Sequence, residues 1–131
     1  MIIEYYPEDS GGQGTARIKK FILKGLHKRR DLKLLVQKFL EKVEHSSSLQ
    51  PFFDSSLISA LQFVPMNNGR ETTRLYEMRI PPERSGGVVR IYFIQCKGDD
   101  QRILLLDGEI KHKKASAIMD NMSNLIRTLN Y

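Results

Sequence analysis

The sequence predicts an α+β domain built on an antiparallel or mixed sheet of four to five strands, with a helical hairpin before it and one helix after it. Three observations carry this. Apolar residues recur at three- and four-residue intervals between positions 18 and 43, as on a helix that buries one face. They alternate or run together in short stretches between positions 61 and 111, broken by Asn, Gly and Pro. From Ile118 to Leu129 they return to helical spacing. No internal repeat or second composition zone appears, so the 131 residues are read as one domain over 1–131.

The elements follow in order. Ile2 to Tyr6, ended by Pro7, reads as a first strand, and residues 8–14 with three glycines as a loop. Thr15 is placed to cap a helix whose buried positions are Ile18, Phe21, Ile22 and Leu26. A second helix carries Leu32, Leu35, Val36, Phe39, Leu40 and Val43 on one stripe, with Asp31 as its expected cap. Ser46–Ser56 reads as a polar loop, and Leu57–Leu61 as a helical turn before a short strand over Leu61–Met66. Asn67-Asn68-Gly69 signals a turn. Thr73–Ile80 alternates, with Tyr76, Met78 and Ile80 on one face and Glu77 and Arg79 on the other. Val88–Cys96 is rich in branched and aromatic residues, and Lys97–Asp100 turns the chain into Arg102–Lys111. The helices are expected to cover one side of the sheet.

Composition narrows the function classes. Hydrophobic residues at 40% and charged residues at 27% exclude a disordered or collagen-like chain. No apolar run reaches the roughly 20 residues of a bilayer span. The opening residues are acidic where an export signal is basic, and the lone Cys96 suits a reducing compartment, so a cytoplasmic protein is expected. The net charge of +6 is uneven: residues 15–42 hold ten bases and two acids. Such a concentration suits a polyanionic partner, although taken alone it reads first as a solvated helix face.

Conventional catalytic signatures are missing. His27, His45 and His112 lie far apart with no cysteine or carboxylate cluster at ligand spacing, so neither a metal nor another cofactor is expected. Gly11-Gly12-Gln13-Gly14-Thr15 lacks the Gly-Lys-Ser/Thr ending of a phosphate loop. Cys96 reads as packing, and Asp99 and Asp100 as turn residues. What remains is cationic. Arg90 interrupts an apolar strand and shares a face with Tyr92, Arg79 ends its own strand, and Lys111, His112, Lys113 and Lys114 crowd the exit of the last strand. Antiparallel pairing can gather these groups on one surface beside aromatic rings suited to base stacking. Paired surface ions, or an edge strand guarded by charge, account for the same pattern.

Three segments, Arg74–Ile80, Val89–Phe93 and Ile103–Lys114, together resemble the RelE/ParE toxin superfamily, and within it the HigB-like, phage-derived branch. That family carries a "YELR"-like strand, an arginine-led aromatic strand and a strand ending in Gly and lysines before a terminal helix. Ile3-Glu4-Tyr5-Tyr6 and the helical hairpin match its front end. The resemblance implies the small RelE-like microbial ribonuclease fold and the toxin half of a toxin–antitoxin pair. It implies ribosome-dependent cleavage of mRNA, with the ribose 2′-oxygen attacking the adjacent phosphorus at a metal-free basic site. Carried over, Arg90 binds the scissile phosphate and Arg79 supports the RNA backbone or the transition state. His112, Lys113 and Lys114 supply proton transfer and charge stabilisation, while Lys111, Tyr92 and Tyr131 contact RNA. Partners implied are a cognate antitoxin and mRNA on the ribosome, with no membrane. Asp107 stands where relatives often carry histidine, and Pro81–Gly87 lengthens a connection. The same fold also serves non-catalytic toxins that inhibit DNA gyrase, and a binding module without chemistry fits the charge as well.

Overall fold

Two strands that are apolar on both faces organise the chain: β4 (Val88–Cys96) and β5 (Asp99–Lys111). The computed structural model describes residues 1–7, 17–65, 72–80, 88–96, 98–111 and 117–129. Its five strands form one mixed sheet in the order β1-β5-β4-β3-β2, where β1 is Ile2–Tyr5, β2 is Ile58–Pro65 and β3 is Thr72–Ile80. The run β2-β3-β4-β5 is antiparallel throughout, and β1 pairs parallel to β5, with Ile3 opposite Ile103 and Tyr5 opposite Leu105.

Helices cover both faces, which corrects the expectation of a one-sided arrangement. Val89, Ile91 and Phe93 of β4 and Ile103 and Leu105 of β5 pack with the N-terminal helices. Ile94, Cys96, Leu104 and Leu106 pack with Met122, Leu125, Ile126 and Leu129 of the C-terminal segment. Each such leucine or isoleucine gains roughly 1.5–3 kcal/mol by leaving water. A single covered face would have left the second set exposed. The last helix, α4 (Ala117–Arg127), therefore lies opposite the hairpin.

On the other face, α1 (Arg17–Lys20) continues directly into a π-helical turn over Phe21–Gly25, closed by the Leu26 N–H donating to the Phe21 carbonyl at 3.0 Å. Then α2 (Arg30–Glu44) buries Leu32, Val36, Phe39, Leu40 and Val43. Asp31 is not its cap. Arg29 precedes the helix, and Asp31 sits in the first turn, where its carboxylate accepts from Arg29 Nε and Nη2 at 3.2 Å each. The acid still suits the positive end of the helix dipole. The proposed Thr15 cap lies outside the described residues.

The Phe21 ring lies between two glycines. A Cβ placed on Gly25 would approach its Cδ1 to 2.8 Å, and one on Gly108 would approach its Cδ2 to 2.7 Å and Ile18 Cδ1 to 3.0 Å. Gly108 thus lets the hairpin close onto β5. The Gly108→Ala variant is expected to lose about 1–3 kcal/mol through overpacking, seen as a lower urea midpoint with an unchanged slope.

Residues read as loop hold a short helix, α3 (Gln50–Asp54), with Pro51 in its first turn and the Phe52 ring 5.6 Å from Phe39. The helical turn expected at Leu57–Leu61 is instead the start of β2, because α3 closes before it. Ser56 N–H donates to the Phe53 carbonyl at 3.1 Å and Leu57 N–H to the Phe52 carbonyl at 2.9 Å. Ser56 takes φ 62° there, the left-handed position that usually holds glycine after a helix. The cost to a residue with a Cβ is roughly 1–2 kcal/mol. Ser56→Gly should therefore raise the unfolding free energy by up to about 1 kcal/mol after the entropy of glycine is counted, measurable as a higher Tm. The turn read at Asn67–Gly69 and the Pro81–Gly87 connection lie outside the described residues.

Candidate nucleic-acid interface

Antiparallel pairing places Arg79 directly opposite Arg90, and Arg90 directly opposite Glu109. One step along the strands, Glu77, Tyr92 and Asp107 form the next row. Alternation sets Glu77 and Arg79 on the same side as Leu75, so the charged rows extend the face that α4 covers at its apolar end. Glu77 Oε1 accepts from Arg90 Nη1 at 2.5 Å and lies 3.9 Å from Arg79 Nε. The Tyr92 hydroxyl donates to Glu109 Oε2 at 2.9 Å.

Burial governs the electrostatics. The side chains of Glu77 and Arg90 are 9% and 12% exposed, and that of Arg79 is 35% exposed. A guanidinium so far from water needs an anion, and Glu77 supplies it. The pairing does not use every donor, because the Nε atoms of both Arg79 and Arg90 are buried without a hydrogen-bond partner. Guanidinium forks donate to phosphate oxygens with the geometry they use for carboxylate. The two Nε donors are closed off from solvent, so an oxyanion entering the cluster has to take the place of Glu77 on the Arg90 fork.

The structure brings Arg79 and Arg90 together, as expected from sequence. It buries Tyr92 completely, so that ring belongs to the core, and only its hydroxyl reaches the polar rows. Lys111 ends β5 opposite Val88, two residues beyond Glu109 on the same strand. His112, Lys113, Lys114 and Tyr131 lie outside the described residues. Glu109 is not found by counting along the sequence: an unbroken hairpin about Lys97–Asp100 sets Asp107 opposite Arg90, and the register shifts at Gln95/Cys96 and Tyr92/Phe93 bring Glu109 there instead. Asp107 has its carboxyl pushed up from its usual 3.8 mainly by burial, with Glu109 adding to the effect. The Gly108 N–H and Arg17, the latter at 3.9 Å, pull the other way. A raised carboxyl favours the folded state when protonated, so its contribution falls as pH rises from that value through the shifted pKa.

The helical hairpin presents a positive surface of its own. Lys20, Lys24, Lys28, Arg30, Lys38 and Lys42 are exposed on it. Among the described residues, no three His, Cys, Asp or Glu side chains gather as a metal site requires, and no helix is long and apolar enough to cross a membrane. Comparison with known proteins finds no matching family model, no curated relative and no similar solved structure.

Glu77 carries the stability of the cluster. Glu77→Ala should cost about 3–5 kcal/mol by leaving the Arg90 guanidinium buried without its carboxylate. Replacing both partners, as Glu77→Leu with Arg90→Met, should restore most of that loss. Guanidinium chloride titrations of the three proteins give the comparison.

Proposed function

We propose that this chain is a toxin of the RelE/ParE type that cleaves mRNA on the ribosome. The observation that carries the reading is the cross-strand placement of Arg79 and Arg90 on one sheet face, beside the strand that leads into the Lys111–Lys114 run. In this reading the scissile phosphate takes a place on Arg90 that Glu77 holds in the free protein. The ribose 2′-oxygen attacks phosphorus in line and the 5′-oxygen leaves, giving a cyclic phosphate and a 5′-hydroxyl. Arg79 and the lysines stabilise the added charge of the transition state. His112, with a reference pKa near neutrality, returns a proton to the leaving oxygen. The exposed bases of α2 and the π-helical turn meet ribosomal phosphates, a contact that weakens with salt. An acidic antitoxin segment, matched by charge, covers the same bases in the resting cell cytoplasm.

A second reading has its own support. Glu77 already pairs with both Arg90 and Arg79, and Glu109 lies across from Arg90 while accepting from Tyr92, which favours a protein of this shape without chemistry: a gyrase-directed poison or a nucleic-acid binding module.

Induced expression separates these. Cleavage predicts growth arrest within minutes and new 5′-hydroxyl ends confined to translated messages, both reduced at least about 100-fold in Arg79→Ala, as expected for loss of one electrostatic stabiliser. Arg79 is partly exposed, so that variant should keep the wild-type circular dichroism. Arrest with intact messages overturns the nuclease, and inhibited supercoiling then identifies the gyrase reading. Harmless expression with salt-sensitive RNA binding leaves the binding module.

A further inference from the structure

β2 forms one outer edge of the sheet, where an exposed aromatic residue invites unwanted pairing. Phe63 nevertheless stands 64% exposed on it. The irregularity between Ala60 and Phe63 sets Phe63 opposite Arg74, while its neighbour Val64 enters the core shared with α4. The Arg74 guanidinium carbon lies 4.5 Å from the centre of the Phe63 ring. Arg79, Arg90 and Arg102 of the same sheet each have a carboxylate within 4 Å. Arg74 has none among the described residues, and its Nε is buried without a hydrogen-bond partner. Two residues along β3, Tyr76 lies on the same side, stacked on Phe93 at 5.3 Å and tilted against Phe53 at 5.6 Å. An exposed ring, a guanidinium with no carboxylate partner among the described residues and an aromatic row thus occupy the face opposite the Arg79–Arg90 cluster.

We propose that Phe63 and Arg74 form a stacking platform for one base of single-stranded RNA, with the Arg74 fork on an adjoining phosphate. A nucleotide offers both a π face and an anion at short range, which matches a ring and a cation presented together. An acidic peptide satisfies only the cation. Stacking of this kind tolerates any base and depends on the strand being unpaired. The inference rests on reading the protein as RNA-directed, but it does not require cleavage, since the platform lies across the sheet from the proposed catalytic groups.

The chain contains no tryptophan, so Phe63→Trp gives a single reporter at the site. Titration with a short oligoadenylate should quench its emission saturably, and inorganic polyphosphate should not. Arg74→Met in that background should weaken the titration about 5- to 100-fold. Unchanged emission while a labelled oligoadenylate binds by anisotropy places RNA elsewhere and overturns the platform. So does no oligoadenylate binding at all, or a peptide rich in Asp and Glu giving the same quenching. Arg79→Ala separates the two proposals. Quenching that persists where messages are never cut supports the platform alone, and cleavage without quenching supports the nuclease alone.

Discussion

The charged cluster depends on one interaction, the pairing of Arg90 with Glu77 across β4 and β3. A guanidinium set in the middle of Val88–Ile94 cannot stay there alone. Its carboxylate partner has to come from a neighbouring strand, and the register of β3 against β4 delivers it. The same register brings Arg79 alongside, so that one anion serves two cations. Under the proposed function, RNA has to compete with this carboxylate for the two arginines. Glu77 is the group that makes Arg90 tolerable in the sheet, and in the proposed mechanism it is also the group a phosphate would displace.

Around that pair the fold divides its labour by face. The hairpin face has an apolar stripe from α2 and the Phe21 ring held between Gly25 and Gly108. The other face is apolar under α4 and ionic beyond it, and the Tyr92 hydroxyl marks the boundary. Such a division places polar chemistry at one end of a rigid, well-packed sheet, where distances between groups are fixed by strand spacing rather than by loops. The basic residues of the hairpin stand exposed on a separate surface, where their attraction for a polyanion is of a kind that salt weakens.

Much of this was legible in residue order. Period-two alternation set Glu77 and Arg79 on one face of β3 and Tyr76 and Met78 on the other, as the structure has it. The stripe of α2 followed from its helical spacing. Asp31 misled because an acid just ahead of an apolar stripe looks like a cap, while Arg29 two residues before it competes for the carboxylate. α3 was hidden because five residues are too few to show a period, and its signals were only Pro51 and the buried Phe52. The ring of Tyr92 looked available for RNA because alternation says which face a side chain takes, not whether another element covers that face.

Sequence alone determined the α+β class, the extent of β3, β4 and β5 to within a few residues, and the concentration of cations, since these depend on local spacing and composition. Only the tertiary structure decided which face α4 covers, that β1 joins parallel to β5, and that Glu77 rather than solvent faces Arg90. Those features are set by contacts between residues distant in the chain. Burial then makes the choice, because a charge removed from water must take whichever opposite charge the fold puts within reach.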